Sequence, residues 1–218
     1  VSRYSFVGSS PYKTISSDSN ITKVTDDKGE AKSKPTPNDP LKLVEDELSG
    51  IRYHGLDEHR FSGGAVGFIG YEYANRIEET VPLPENNELE TPLLFFMLTE
   101  VLLIFDHARQ TLTVCANAKI DGEVNNAYHR ACEKIEQTRE ILSQPSSLKP
   151  TPLLDPDPVD LKSGNFSKAE FEKLVEQAKE FVRSGDVIQT VLSQRFAVPF
   201  KHPPINLYRA IRAINPSP

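Results

Sequence analysis

The sequence is short of most features that announce a function. It has two cysteines, Cys115 and Cys132, among 218 residues. That is too few for a disulfide framework, they lack the clustered spacing of a zinc site, and a reducing compartment is expected. Both read as packing residues. No apolar run approaches the roughly twenty residues that a bilayer requires, so no membrane partner is expected. Basic charge is also scarce: 25 Lys and Arg stand against 31 Asp and Glu, a formal charge of -6. Nucleic acid binding needs a concentrated basic face and is excluded as a main role. Lys23, Lys28, Lys32 and Lys34 do not supply one, because Asp26, Asp27 and Glu30 lie among them and the stretch reads as a solvated loop.

Recognisable catalytic motifs are missing as well. Gly64, Gly67 and Gly70 are spaced by three. They match neither the Lys-Ser/Thr ending of a phosphate loop nor the glycine order of a dinucleotide fingerprint. Their expected role is in a buried strand that another backbone or side chain approaches closely. His54 and His59 are five apart in a polar stretch and are expected on a surface loop. No serine sits in a nucleophile elbow, and nothing local brings together the oxygen ligands that magnesium would need. No signal peptide is read in the sequence, which opens without methionine in a strand-like run, Ser2 to Val7, and an artificial start is expected.

What is present is an ordinary globular composition, 38% hydrophobic and 26% charged, long enough for one large domain or two small ones. Arg3–Val7 and Tyr12–Ile15 predict strands, and 18–40 predicts a flexible insertion. Leu41, Val44 and Leu48 predict a helix ended by Gly50. Thr99–Asp106 and Thr111–Ala116 predict a hairpin through His107-Ala108-Arg109-Gln110, and Glu123–Leu142 a helix with Val124, Ala127, Ala131, Ile135 and Leu142 along one side.

Pro145, Pro150, Pro152, Pro156 and Pro158 then mark a linker. It divides an amino-terminal region, residues 1–150, from a second region, residues 151–218. In the second, Ser167 and Glu170 form a capping box ahead of a helix with apolar residues from Phe171 to Val182, and Gly185 stops it. Val187–Phe196 alternates as a strand, with Gln189, Val191, Ser193 and Arg195 on one face. A last helix is predicted over Ile205–Ile214.

Four of these stretches, in order, carry a resemblance. They are Arg3-Tyr4-Ser5-Phe6-Val7-Gly8 with Pro11-Tyr12-Lys13, Ser62-Gly63-Gly64-Ala65-Val66-Gly67, the run Gly185–Phe196, and Asn215-Pro216-Ser217-Pro218. Together they resemble the chorismate-utilising enzymes, and within them the anthranilate synthase component I family. Two departures from that family are Glu72, where aspartate is more usual, and the insertion before Leu41.

The resemblance implies an α+β fold of two packed, mostly antiparallel β-sheets flanked by helices, with residues 151–218 holding only the start of the chorismate-binding domain. It implies a lyase of tryptophan biosynthesis that adds ammonia, taken from a glutamine amidotransferase subunit, to chorismate with Mg2+ and expels pyruvate to leave anthranilate. The metal and general-acid residues are expected beyond Pro218, so the chain alone is expected to be inactive. A cytoplasmic location is implied, or a plastid in a plant or alga.

On the same resemblance, Gln189 is the one catalytic candidate, standing where isochorismate-forming relatives carry a lysine. A lysine suits the activation of water. A glutamine amide donates and accepts hydrogen bonds without useful basicity, which suits placing ammonia. A buried polar contact in the sheet is the structural alternative for Gln189. Asn215, Ser217 and Pro218 are expected to contribute to a feedback site for L-tryptophan. Two other readings stay open: aminodeoxychorismate synthase component I of folate biosynthesis, disfavoured by Val191 where an asparagine is common, and a non-catalytic module that binds an effector or a partner.

Overall fold

The computed structural model describes residues 3–55, 61–83, 87, 89–146 and 164–215. They fall into two compact units, Val1–Pro145 and Ser146–Pro218. The first contains two antiparallel sheets. A five-stranded sheet runs in the order β4 (Ala31–Pro35), β3 (Ile21–Asp26), β2 (Lys13–Ser17), β6 (Leu94–Thr99), β5 (Gly64–Ile69). A three-stranded sheet runs β1 (Tyr4–Ser9), β7 (Val101–Asp106), β8 (Thr111–Ala116).

Only Glu100 separates β6 from β7, and the chain keeps its alternation across the step from one sheet to the other. Leu94, Leu98, Leu102, Ile104 and Asp106 are all buried, as a period of two requires of one face. The core of the five-stranded sheet joins Leu94 and Leu98 to Ile15, Leu93, Tyr73 and Val44. Val44 comes from α1 (Lys42–Ser49), which ends at Gly50 as its sequence predicts. Tyr73 ends a 3-10 turn that runs into the short α2 (Ala74–Ile77).

Residues 18–40 are a correction to the sequence reading. The expected flexible insertion is an ordered hairpin, β3 and β4, paired from Ile21↔Pro35 to Thr25↔Ala31. Its turn is held by Asp26, whose Oδ1 accepts from the Lys28 and Glu30 N–H groups at 3.0 and 2.8 Å, with Gly29 in the left-handed region at φ 80°. Thr22 of β3 and Ser17 of the neighbouring β2 are buried, and their hydroxyls bond each other at 2.8 Å. The four lysines are exposed, as expected, but on this hairpin and not on a loop.

A second correction concerns β5. Its place at the sheet edge leaves Val66, Phe68 and Ile69 exposed, so it is not a buried strand. The close approach expected of its glycines is present: a Cβ on Gly67 would stand 1.8 Å from the Phe95 carbonyl oxygen.

The predicted hairpin β7–β8 forms with every residue from Val101↔Ala116 to Asp106↔Thr111 in register. Asp106 closes it, accepting from the Ala108 and Arg109 N–H groups at 3.0 and 3.1 Å and from the Arg3 guanidinium at 2.8 Å. Against β8 lies α3 (Val124–Ser143). Its buried residue is Ala127 and its half-buried ones are Ala131, Cys132, Lys134, Ile135 and Thr138, whereas Val124 and Leu142 are exposed. Lys134 reaches back to pair with Glu100 at the β6–β7 step.

The second unit contains α4 (Lys168–Ser184) and α5 (Pro204–Ile214). The proline-rich linker from Pro150 to Pro158 and His59 lie outside the described residues, and His54 is exposed.

Candidate functional site

The run that carries Gln189 begins at the end of α4, a helix whose start and stop both follow from its sequence. At the start, the Ser167 hydroxyl accepts from the Glu170 N–H at 3.4 Å and the Glu170 carboxylate accepts from the Ser167 N–H at 2.8 Å. The Ser167 N–H, and with it the Ser167 hydroxyl at 2.7 Å, hold the Glu170 carboxyl below its ordinary range, and the capping bonds satisfy donors that a helix amino terminus leaves open. Phe171, Leu174, Val175 and Ala178 are half-buried at helical spacing.

At the stop, Gly185 adopts φ 82°, its N–H reaches the Val182 carbonyl at 3.2 Å, and the Asp186 N–H reaches the Phe181 carbonyl at 3.0 Å. That pair of bonds is a Schellman ending, which favours glycine because a side chain there is strained. Asp186 adds a bond from the Ser184 hydroxyl at 2.6 Å. The Gly-Asp pair is therefore a helix terminator in its own right.

Beyond Asp186 the sequence reading needs its third correction. Val187–Phe196 has the alternation of a strand, yet it pairs with no strand among the described residues. Alternation sets which side chains share a face, but a strand exists only where a neighbour completes its backbone hydrogen bonds. The far end of the run is fixed differently. Asn165 brackets Arg195, with its N–H on the Arg195 carbonyl at 3.1 Å and its Oδ1 accepting from the Arg195 N–H at 2.8 Å. Gln194 donates through Nε2 to the Phe166 carbonyl at 2.8 Å. Nothing in the sequence pattern pointed to Asn165 or Gln194.

The structure places Gln189 in the exposed middle of this run. A hollow of about 410 Å3 in the same unit is lined by Phe166, Lys168, Phe171, Glu172, Gln194 and Phe196, and Gln189 is not among them. Asn215 caps α5, with its N–H on the Ile211 carbonyl at 2.7 Å. Ser217 and Pro218 lie outside the described residues.

The resemblance-bearing stretches of the first unit are load points of its sheets. Arg3-Tyr4-Ser5-Phe6-Val7-Gly8 runs into β1, where the Arg3 carbonyl accepts from the His107 N–H at 2.8 Å and the Ser5 hydroxyl bonds His107 Nε2 at 2.7 Å. Ser62-Gly63-Gly64 leads into β5, and its Ser62 carbonyl accepts from Asn117 Nδ2 at 2.6 Å. A second hollow, of about 350 Å3, lies at the β7–β8 turn and is lined by Phe105, Asp106, His107, Gln110, Thr111 and Leu112. Among the described residues no group of three or more His, Cys, Asp or Glu could hold a metal ion, and no helix is long and apolar enough to cross a membrane.

Two antiparallel sheets followed by a capped helix and a Gly-Asp run define a class. The chain belongs to the chorismate binding enzyme family, whose pattern matches residues 3–218. Within that class it is similar to anthranilate synthase component 1 of Acetivibrio thermocellus, 33% identical over 99% of this chain and 44% of that relative. The Saccharomyces cerevisiae protein of the same name is 32% identical over 99% of this chain and 41% of its own length. The crystal structure of anthranilate synthase component I from Streptococcus pneumoniae TIGR4 superimposes with a TM-score of 0.77 at 28% identity, covering 99% of this chain and 46% of that one. The chain thus spans under half the length of the relatives it matches.

Proposed function

We propose that this chain is the amino-terminal part of the large subunit of an anthranilate synthase. In that reading chorismate takes ammonia delivered by a glutamine amidotransferase subunit and loses pyruvate, and anthranilate enters tryptophan synthesis. One observation carries the proposal: relatives named for that activity align with this chain nearly end to end, while the chain spans only 41–44% of two of them. The described residues do not fit a magnesium site. The proposal assigns the metal's ligands and the general acid to the part of the relatives' length that this chain does not span.

Gln189 is the residue here that we assign to the chemistry, as a positioning amide for ammonia in the longer polypeptide. Ammonia is already a nucleophile, and its need is orientation, which an amide supplies without acting as a base. Asn215, Ser217 and Pro218 belong, on the same reading, to a site through which L-tryptophan inhibits the enzyme.

Anthranilate fluorescence and product mass test this. The 218 residues with chorismate, ammonia and Mg2+ give no product above the protein-free blank. A polypeptide that continues through the remaining family length gives anthranilate. Gln189→Ala in that longer protein lowers the ammonia-dependent rate by about tenfold or more. Turnover by the 218 residues alone overturns the partial-subunit reading, and aminodeoxychorismate as the product moves the parent to folate synthesis. An unchanged rate in Gln189→Ala removes the glutamine from the mechanism.

A further inference from the structure

We draw no further inference here: the strongest candidate, the hollow in the second unit lined by Phe166, Lys168, Phe171, Glu172, Gln194 and Phe196, belongs to a chain that spans under half the length of its relatives, and nothing in the structure shows what covers it.

Discussion

The Tyr73 hydroxyl donates a 2.5 Å hydrogen bond to Asp39 Oδ1 and accepts one from the Leu41 N–H at 3.2 Å. One buried phenol thereby joins the turn before α2 to the start of α1, thirty-four residues away in sequence. Burial, reinforced by the bond to Asp39, pushes the Tyr73 hydroxyl up to about 12.

Tyr73→Phe keeps the ring and removes both bonds. Leu41 N–H retains Asp39 Oδ1 at 3.2 Å, so it is not orphaned. The loss is the net worth of one hydrogen bond to a charged acceptor, about 1.5–3 kcal/mol. A urea midpoint lowered with an unchanged slope is the expected result, and a midpoint within error of the parent refutes it.

Two of the shifted groups of the first unit, Asp106 and Tyr73, act on its stable range from opposite sides. The Arg3 guanidinium, helped by the Arg109 and Ala108 N–H groups, holds the Asp106 carboxyl at about 2 against an ordinary 3.8. A depressed carboxyl contributes stability that is complete above its unfolded value, so this part is lost as pH falls from about 3.8 through about 2. Tyr73 is raised, so its contribution is complete below its ordinary 10.0 and is lost as pH climbs from there through about 12. Melting temperature against pH should fall at both limits, with Asp106→Asn blunting the acid limb and Tyr73→Phe the alkaline one.

Gly67→Ala is the severest single change predicted. The added methyl would lie 1.8 Å from the Phe95 oxygen and 2.7 Å from the Phe96 Cα. Both are backbone atoms of β6, which also pairs with β2, so relief requires the sheet to part. The expected cost is about 4 kcal/mol or more, in the range reserved for gross steric conflict. Gly185→Ala offers a contrast, because nothing lies within 4 Å of its added Cβ and only the positive φ is penalised. About 1 kcal/mol is expected there. Equal losses at the two glycines, measured by denaturant unfolding, refute this account.

These elements also separate what the sequence could and could not disclose. The capping box at Ser167 and Glu170, the stop at Gly185 and the β7–β8 hairpin were legible because their causes are local: a side chain and a backbone group within a few positions of each other. The hairpin at 21–35 was misread from its Lys, Asp and Pro content. Its signals were the β-branched Ile21, Thr22, Val24 and Thr25 and the turn Asp26-Asp27-Lys28-Gly29, weak by composition yet sufficient once β2 supplies a neighbour. Gln189 shows the converse. Its alternation was strong, but a strand is a relation between two segments, and the described residues contain no neighbour for it.

That difference predicts a gradient in hydrogen exchange. The amides of β6 and β7 sit in central strands, β6 between β2 and β5 and β7 between β1 and β8, and their inward side chains Leu98 and Ile104 are almost wholly buried. They can exchange only when a sheet opens, so they should be among the slowest in the protein. The amides of 188–193, which have no ladder among the described residues, should exchange at rates close to an unstructured peptide. Leu98→Ala should accelerate the whole β6 set together, since deleting a buried leucine costs about 2–5 kcal/mol of the cooperative unit, and leave 188–193 unchanged. Strong protection of 188–193 would mean that the run finds a backbone partner, and the contrast with β6 would then fail.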